Sequence, residues 1–415
     1  MAAAAPGHDL LFLAHRIPYP PDKGEKIRAW HMLSALARTH RIHLGCFIDD
    51  PDDAAHLPVL ASHCADVAAI RIDRRRQRLR ALARLRPGRS LTAGYFADPR
   101  LAAWVRGKLA QGIDRAFVYC SSMAPYVMGV PGLHRVLDMV DVDSAKWAAY
   151  AGRTRFPARL IWAREARTLL ALERRAAADF DHTLFVSDVE RAAFAALAPE
   201  AAGRCIALDN GVDAQRFAPL PVPPSPYPPG GPVAVFTGTM DYRPNVDAVG
   251  WFVREVLPHL RARHPGLRFA IVGASPAPAV QRLAAPGQVI VTGRVADVRP
   301  YLAHAAVAVA PLDIARGIQN KVLEAMAMAR PVVATAAAFA GLHAVAGADL
   351  LVADGAEAFG AAVSAVLDGR HPGLGAAGRA AVLRHHAWSA TLARLPELLD
   401  PAGAAPLPEM QEIAS

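Results

Sequence analysis

The sequence predicts an α/β protein made of two doubly wound domains, each with a parallel sheet covered by helices on both faces. Short apolar runs without alternation recur along the chain, separated by segments of helical periodicity, which is typical of parallel strands buried on both sides. These runs form two series, one on each side of a proline-rich segment. The chain has 415 residues and is 53% hydrophobic. Because single cores stop growing beyond roughly 250–300 residues, this length also favours two domains.

Each series predicts the strands of one sheet. The strands of the first sheet are expected at residues 10–14, 42–48, 67–72, 116–120, 135–140 and 183–187. Those of the second sheet are expected at residues 233–236, 268–272, 289–292, 307–311, 331–334 and 349–352. The intervening helical segments supply the crossovers that parallel strands require.

Proline density sets the domain boundaries. Residues 219–232 contain eight prolines, which neither strands nor helices tolerate, so we interpret this segment as a linker. The first domain is then residues 1–218 and the second is residues 233–377. Residues 378–400 carry apolar side chains at helical spacing and predict a final helix, and residues 401–415, rich in Ala, Pro and Glu, predict a disordered tail.

Composition limits the class of protein. The four cysteines show no close pairing, and three lie in apolar runs, so we expect reduced thiols and a cytoplasmic protein. No apolar run reaches the length of about 18 residues that predicts a membrane span, and the amino terminus lacks the features of a signal peptide. The net charge of +9, carried almost entirely by arginine, favours anionic partners.

The most informative segment is residues 316–328, which follows a buried strand and opens a helix. Gly317 lets a ligand approach the first backbone N–H groups of that helix, which carry the positive end of its dipole and suit a diphosphate. One turn later, Glu324 lies on the same helical face as Asn320, with Lys321 beside them, so its carboxylate can accept hydrogen bonds from sugar hydroxyls. The alternative is an ordinary helix start with a solvated glutamate.

This segment resembles the nucleotide-sugar loop of the retaining family 4 glycosyltransferases, which carry Glu-x7-Glu ahead of Ala-Met-Ala. Glu324 matches the second glutamate, and Arg316 stands in place of the first, which in the family helps to hold the donor sugar. The amino-terminal run from Arg16 to Arg28 resembles a subgroup of sugar transferases associated with bacterial exopolysaccharide (PEP-CTERM/exosortase) gene clusters. The resemblance covers nearly the whole chain. It implies the GT-B fold, with a cleft between the domains and a final helix that returns to the first domain.

The resemblance implies further contacts with the donor. Arg243 lies near the family's diphosphate-binding lysine, although Thr239 stands where an arginine is usual. Val295 follows a strand and loop that pair with the nucleobase in the family, and Gly24 lies in a glycine loop that faces the donor phosphates. Asn245 has capping of the following helix as its alternative role. The donor and nucleotide contacts assigned in this way are Gly24, Arg243, Val295, Gly317, Ile318, Gln319, Asn320, Lys321 and Glu324.

The resemblance also implies an acceptor side in the first domain, where charged residues follow two of the strands. Lys23 and Arg28 bring positive charge to the loop after the first strand, unless this is merely a basic loop on a basic protein. Asp141 and Asp143 follow strand 135–140, where a carboxylate could orient the acceptor hydroxyl or the donor sugar; helix capping is the alternative for Asp143. The histidine that the family often has here is absent. The catalytic residues assigned are Asp141, Glu324 and Arg316.

No metal ion is expected, although Asp141 and Asp143 form an Asp-x-Asp motif. Enzymes with the GT-B fold offset the charge of the leaving group with helix dipoles and basic side chains, and the sequence has no His or Cys cluster that supports a metal. No other cofactor is expected beyond the nucleotide sugar, which is the donor substrate.

The segment 71–89, from Arg71 to Arg89, contains nine arginines with leucines between them. This pattern predicts contact with an anionic membrane surface, with a solvated helix as the alternative. Nucleic acid is disfavoured because no aromatic residues are interleaved and no nucleic-acid-binding module accompanies the segment.

These features and the resemblance together imply a metal-independent retaining glycosyltransferase of exopolysaccharide biosynthesis, peripheral at the inner face of the cell membrane. It would move a sugar from a nucleotide-diphosphate sugar to a saccharide or polyprenyl-linked acceptor. The alternatives are a nucleotide-sugar epimerase of the same fold and a non-catalytic GT-B subunit that binds a nucleotide sugar or a partner enzyme.

Overall fold

The computed structural model describes residues 7–21, 24–73, 77, 88–153, 156, 158–219, 224–315 and 318–400. The chain divides into two compact units, the first formed by Met1–Asp209 with Leu392–Ser415 and the second by Asn210–Thr391. The change of unit after Asp209 lies ahead of the expected boundary at residue 218. The reason is that Val212 joins the second unit, where its backbone N–H donates to the carbonyl oxygen of His386 at 2.7 Å.

The first unit is built on a parallel sheet, which in the described residues has seven strands in the order β3-β2-β1-β4-β5-β6-β7. Its strands are β1 (Asp9–Ala14), β2 (Arg41–Ile48), β3 (Asp66–Arg71), β4 (Arg115–Tyr119), β5 (His134–Val140), β6 (His182–Phe185) and β7 (Cys205–Ala207). The sequence predicted all of them except β7, which is too short to give an apolar run of its own.

Helices cover this sheet and bury its apolar side chains. They include α1 (Gly24–Leu36), α2 (Leu57–Ala61), α3 (Leu91–Tyr95), α4 (Pro99–Ala110), α5 (Asp143–Arg153), α6 (Ala158–Asp179) and α7 (Asp188–Leu197). Local sequence sets their starts: Ser187 accepts a hydrogen bond from the N–H of Glu190 at the start of α7, as capping serines do. In β1, Leu10 to Ala14 are all fully buried, which explains the continuous apolar run.

The second unit repeats this design with a sheet of six strands, as far as the structure describes it, in the order β10-β9-β8-β11-β12-β13. The strands are β8 (Val233–Thr237), β9 (Arg268–Val272), β10 (Val289–Val291), β11 (Val307–Ala310), β12 (Val332–Ala334) and β13 (Leu351–Val352). Its helices include α8 (Arg243–Trp251), α9 (Leu257–Arg263), α10 (Pro278–Gln281), α11 (Arg299–Ala303), α12 (Asn320–Ala327), α13 (Ala336–Phe339) and α14 (Ala356–Leu367). Every strand of this unit was predicted.

The carboxyl-terminal region differs from the single helix expected over residues 378–400. In its place the structure has α15 (Leu374–Ala381), a π-helical turn (Val382–His386), α16 (Trp388–Thr391) and α17 (Leu395–Leu398). The helix breaks at Ala387, whose extended backbone forms a bridge with Val212. In the first unit, α17 packs against α1, and the carbonyl oxygen of Leu399 accepts a hydrogen bond from Arg115 at 3.1 Å. The tail at 401–415 lies outside the described residues.

The strand orders locate the ligand sites. Strand order reverses between β1 and β4 in the first unit and between β8 and β11 in the second. In doubly wound sheets, ligands bind outside the carboxyl ends of the strands at such a switch point. The predicted fold class of two doubly wound parallel α/β units is therefore confirmed at the level of each unit, and the site residues should be sought after β1, β4, β8 and β11.

Candidate functional site

Two glycines bring the loops after β8 and β9 into close contact. Gly238 follows β8 with φ +156°, and Gly273 follows β9 with φ +155°. A Cβ atom added to Gly273 would lie 1.7 Å from the carbonyl oxygen of Gly238, and one added to Gly238 would lie 2.8 Å from Nδ2 of Asn245. Since neither position has room for a side chain, the backbone of this turn is kept bare at the switch point.

Lys321, in the first turn of α12, joins that helix to the turn after β8. Its Nζ donates to Oδ1 of Asn245 at 2.7 Å and lies 4.9 Å from the ring centroid of Phe236. Nδ2 of Asn245 in turn donates to the carbonyl oxygen of Thr239 at 2.8 Å. Burial lowers the pKa of Lys321 to about 8, against the opposing charge of Glu324. A bound anion at this position would therefore stabilise the ammonium form.

Asn245 does not cap a helix, which was its alternative role. It lies inside α8 and is 3% exposed, and its side-chain amide forms hydrogen bonds with Thr239 and Lys321. The side chain instead fixes the turn after β8 to the start of α12.

Glu324 lies one turn further along α12 and is partly buried. Burial raises the pKa of its carboxyl group to about 7, while the charges of Arg216 and Lys321 oppose this shift. Within the described part of the chain, no side chain or backbone group donates a hydrogen bond to this carboxylate. The carboxyl group is therefore available to a ligand.

The start of α12 agrees with an anion site as far as it is described. Gln319 is the N-cap with an extended backbone, and its side chain makes no capping hydrogen bond. Asn320 is exposed at the first helical position, and Ile318 packs against the core of the second unit. Arg316 and Gly317 lie outside the described residues, so their roles remain predictions.

Arg243 is the first residue of α8 and is mostly exposed. Its Nε donates to Oδ2 of Asp247, one turn later in the same helix, at 2.6 Å, and this partner raises the pKa of Arg243. Contact with the diphosphate remains a prediction. Val295 follows β10, after a turn at Gly293 with φ +69°, and is half-buried against the core. Its contact with the base also remains a prediction.

The structure of the first unit corrects the assignment of Arg28 to the acceptor side. Arg28 is 1% exposed, and its guanidinium donates to both carboxylate oxygens of Asp138 at 2.8 and 3.2 Å and to the carbonyl oxygen of Leu208 at 2.8 Å. It therefore connects α1, β5 and the segment after β7 inside the unit, where no acceptor can reach it. Lys23 lies outside the described residues. Gly24, the first residue of α1, is exposed, and an added Cβ would meet no described atom within 4 Å, so a ligand has room there.

A sharp turn separates Asp141 from Asp138 at the end of β5. Val140 has φ +67°, an uncommon conformation for a β-branched residue, and the N–H of Asp141 donates to the carbonyl oxygen of Met139 at 2.9 Å. The turn leaves Asp138 buried with Arg28 and brings Asp141 to the surface. Its carboxyl group is still partly shielded from water, and this desolvation, together with the nearby carboxylates of Glu190 and Asp143, raises the pKa of Asp141.

Asp143 is the first residue of α5, and burial raises the pKa of its carboxyl group. Other carboxylates bind the backbone at this helix start: Glu190 accepts from the N–H of Val142 at 3.0 Å, and Glu173 accepts from the N–H of Ser144 at 3.1 Å. The N–H groups that a capping Asp143 would bind, those of Ala145 and Lys146, donate to the carbonyl oxygen of Val142 at 3.1 and 3.3 Å, so Asp143 remains a candidate for the acceptor side.

Sequence reasoning missed His15, which directly follows β1 at the switch point. Its ring stacks on Tyr119 with centroids 5.8 Å apart and meets Phe96 edge-on at 5.4 Å, while Nε2 lies 3.7 Å from Oε2 of Glu25. His15 and Arg16, whose Nη1 donates to Glu25 at 2.6 Å, hold the pKa of Glu25 at about 2. The available signal was its position immediately after the first strand of a doubly wound sheet.

No group of three or more His, Cys, Asp or Glu side chains in the described ranges is arranged to hold a metal ion. Asp138, Asp141 and Asp143 do not form such a group, since Asp138 is committed to Arg28. None of the described helices is long and apolar enough to cross a membrane.

A comparison with protein families finds a match in the second unit. Residues 231–369 match the family model described as Glycosyl transferases group 1, and this range includes the cluster around Lys321 and Glu324. The matched range lies within the second unit. A search of curated protein sequences finds no significant match.

Solved structures give the fold of the whole chain. Sucrose-phosphate synthase from Thermosynechococcus elongatus superposes with a TM-score of 0.59 at 18% identity, covering 94% of this chain and 98% of that chain. HepE from Anabaena, in complex with UDP and glucose, superposes with a TM-score of 0.59 at 15% identity, covering 94% of this chain and 99% of that chain. WaaG, a glycosyltransferase involved in lipopolysaccharide biosynthesis, superposes with a TM-score of 0.56 at 17% identity, covering 94% of this chain and 100% of that chain. These similarities confirm the GT-B fold.

Proposed function

We propose that this protein is a retaining glycosyltransferase that moves a sugar from a nucleotide-diphosphate sugar to a hydroxyl of a lipid-linked saccharide in exopolysaccharide biosynthesis. The observation that carries the proposal is the cluster of Lys321, Asn245 and Glu324 at the switch point of the second unit, inside the part that matches the group 1 glycosyltransferases. The cluster combines a cation for phosphate with an unbonded carboxyl group for a sugar.

The donor end follows from the charges around α12. The diphosphate would accept hydrogen bonds from Nζ of Lys321 and from the backbone N–H groups at the start of α12, where the helix dipole also favours negative charge. These groups stabilise the charge that develops on the leaving diphosphate. Glu324 would accept hydrogen bonds from hydroxyls of the donor sugar. The similar fold of HepE, solved with UDP and glucose, supports a donor of this kind.

The acceptor side is proposed for the first unit, after β1, β4 and β5. Asp141 and Asp143 lie there as carboxyl groups with raised pKa values, and Lys23 and Gly24 stand in the preceding loop of the sequence. Asp141 would orient the acceptor hydroxyl. The lipid-linked acceptor and the location at the inner membrane face rest on the arginine-rich segment 71–89, most of which lies outside the described residues.

The reaction is proposed to need no metal and no further cofactor. The leaving-group charge would be offset by Lys321 and the start of α12, with Arg243 as a second cation and Arg316 beside the donor sugar.

The test is a panel of nucleotide-diphosphate sugars measured by thermal shift, followed by product analysis with the best binder. A ligand of the folded state raises the unfolding temperature by mass action. We expect one class of nucleotide sugar to stabilise the protein and to yield a glycosylated acceptor with retained anomeric configuration. An epimerised donor without transfer would identify an epimerase, and binding without turnover would identify a non-catalytic subunit. No stabilisation by any nucleotide sugar would refute the donor site.

A further inference from the structure

A turn at residues 213–217 precedes β8 and belongs to the second unit. The N–H of Arg216 donates to Oδ1 of Asp213 at 2.9 Å, and the N–H of Phe217 donates to the carbonyl oxygen of Asp213 at 2.8 Å. The side chain of Phe217 is 8% exposed and packs in the core of this unit. The backbone of Arg216 is therefore held in a turn that is anchored to the core, and its side chain starts from a fixed position.

Two other arginines tie this turn to the helices around the proposed donor site. Nη1 of Arg299, at the start of α11, donates to the carbonyl oxygen of Arg216 at 3.3 Å. Nη1 of Arg379, in α15, donates both to the carbonyl oxygen of Phe217 at 3.2 Å and to that of Ala327, the last residue of α12. The turn therefore lies against the end of α12.

This contact makes Arg216 a neighbour of Glu324. Glu324 lies three residues before Ala327, on the same face of α12, and Arg216 directly precedes Phe217. The electrostatics agree with this placement. Burial raises the pKa of Glu324 to about 7, and of the two cations that oppose the shift, Arg216 acts more strongly than Lys321.

The guanidinium of Arg216 is not committed elsewhere. Arg216 is exposed, and in the part of the chain that the structure describes its side chain forms no ion pair. Its charge also acts on Asp297, but that carboxylate is already bound by the guanidinium of Arg299 at 2.6 Å. An arginine with a fixed backbone and an uncommitted side chain thus lies beside a carboxyl group that also lacks a partner, that of Glu324.

We propose that Arg216 is a positioning residue of the donor site, whose guanidinium holds the carboxylate of Glu324 charged and oriented toward the hydroxyls of the donor sugar. An ionised carboxylate accepts hydrogen bonds on both oxygens, so one oxygen can bind Arg216 while the other binds a hydroxyl. Lys321 remains free to act on the diphosphate. This inference rests on the proposed function and adds a residue from outside α12 to its donor site.

The first test needs no ligand. The titration of Glu324 is followed by NMR of protein labelled with ¹³C-glutamate, and its signal is identified by its loss in Glu324→Gln. We expect the midpoint to rise by roughly 0.3–1 pH unit in Arg216→Gln, because removal of a nearby positive charge disfavours the carboxylate. Arg216→Lys should restore the midpoint, since it keeps the charge.

The matched control for this test is Arg263→Gln. Arg263 is an exposed arginine of the same unit that pairs with Asp368. It ends α9 just ahead of β9, so it lies at the edge of the sheet opposite the carboxyl ends of the strands. The midpoint of Glu324 should be unchanged in this variant.

The second test compares the binding of UDP with that of UDP-glucose, and of GDP with that of GDP-mannose, by isothermal titration. Within each pair the ratio of affinities isolates the sugar, because both ligands carry a diphosphate for Lys321. We expect Arg216→Gln to reduce this ratio by roughly threefold at pH 6.5 and by less at pH 8.5, where Glu324 is ionised even without the arginine. Arg216→Lys should keep the ratio of the wild type.

An unshifted titration of Glu324 in Arg216→Gln would overturn the proposal, as would an equal shift in Arg263→Gln. An equal loss of affinity for the nucleoside diphosphate and its sugar would also overturn it, because Arg216 would then be a phosphate ligand. If no nucleotide sugar binds the wild type but the titration shifts as expected, the proposed function fails and the coupling of Arg216 to Glu324 stands. If the sugars bind and the titration does not shift, the proposed function stands and this inference fails.

Discussion

At the scale of single residues, the second unit holds a lysine and a glutamate whose ionisation is tuned by burial. The pKa of Lys321 is lowered to about 8 and that of Glu324 is raised to about 7, so each is close to losing its charge near neutral pH. Perturbed groups of this kind cluster at functional sites. A diphosphate beside Lys321 would restore its full charge, and a sugar hydroxyl would replace the water that Glu324 has lost.

Glu324→Ala is expected to abolish donor binding or turnover, because it removes the only carboxyl group assigned to the donor sugar in α12. Far-UV circular dichroism should be unchanged, since no described residue hydrogen-bonds to this carboxylate. Normal turnover in a folded Glu324→Ala variant would remove the central argument for the donor site.

Glu324→Gln is expected to change how stability depends on pH. The folded-state pKa of about 7 lies above the ordinary value of 4.5, so between these pH values the folded protein holds a proton that the unfolded chain has released. Stability therefore falls as pH rises through this window. Because glutamine does not titrate, the variant should gain on the order of 1–3 kcal/mol relative to the wild type between pH 5 and pH 8 in urea unfolding. A difference that does not change with pH would contradict the buried carboxyl group.

Arg243→Ala should weaken binding of a nucleoside diphosphate by roughly tenfold or more and leave binding of the nucleoside unchanged, because a charge-assisted contact with phosphate would be lost. Isothermal titration with both ligands measures the difference. The matched control is Arg263→Ala. Arg263 is another exposed arginine of the second unit, at the end of α9, and it pairs with Asp368. Equal losses for nucleoside and nucleoside diphosphate would show that Arg243 does not touch phosphate.

At the scale of elements, buried polar contacts fix the helices and strands that surround the candidate sites. In the second unit, Asn245 and Lys321 hold α8, α12 and the turn after β8 together. In the first unit, Arg28 and Asp138 connect α1 to β5, and the turn at Val140 then directs Asp141 to the surface. The carboxylates that we propose for the acceptor side are therefore positioned by a buried ion pair.

Arg28→Ala should destabilise the first unit by roughly 3–5 kcal/mol, because Asp138 would remain buried without its partner. Thermal unfolding is the measurement. Arg41→Ala, which breaks an exposed pair with Asp9, is the control and should cost about 0–1 kcal/mol. If Arg28→Ala lowered acceptor use and left the unfolding temperature unchanged, the original acceptor assignment would be right and the structural role wrong.

At the scale of the whole molecule, the chain combines two units of the same doubly wound design, and each keeps its own switch point at the carboxyl ends of its strands. The cations of the second unit and the carboxylates of the first are each placed by their own sheet. In the proposed mechanism, Lys321 and the dipole of α12 stabilise the charge of the leaving group.

Sugar transfer by the full chain is expected to persist in excess chelator. The carboxylates considered for a metal site are those of Asp138, Asp141 and Asp143, and Asp138 is bound to Arg28. Positive potential at the diphosphate comes from Lys321 and the helix start. Turnover with a nucleotide sugar is measured with and without EDTA. Loss of activity that magnesium or manganese restores would make the aspartates metal ligands and end the helix-dipole mechanism.

The sequence by itself determined the features that local patterns encode. Continuous apolar runs predicted every strand of the second unit and all but β7 of the first, because a parallel strand buried on both faces needs apolar residues throughout. The position of α12 after a buried strand, with Glu324 one turn inside, also followed from local periodicity. These properties depend on neighbours in sequence, so no tertiary contact was needed to predict them.

Only the tertiary structure decided which polar groups meet. Arg28 and Asp138 are 110 residues apart, and Asn245 and Lys321 are 76 apart, so no spacing rule relates either pair. Arg28 looked like a surface cation until α1 packed over β5, and the burial that raises the pKa of Glu324 arises only when α12 packs into the second unit. The break at Ala387 likewise depends on Val212, far away in sequence. Burial and partner choice are products of packing, which is why the fold could be predicted from the sequence while the roles of its charged residues could not.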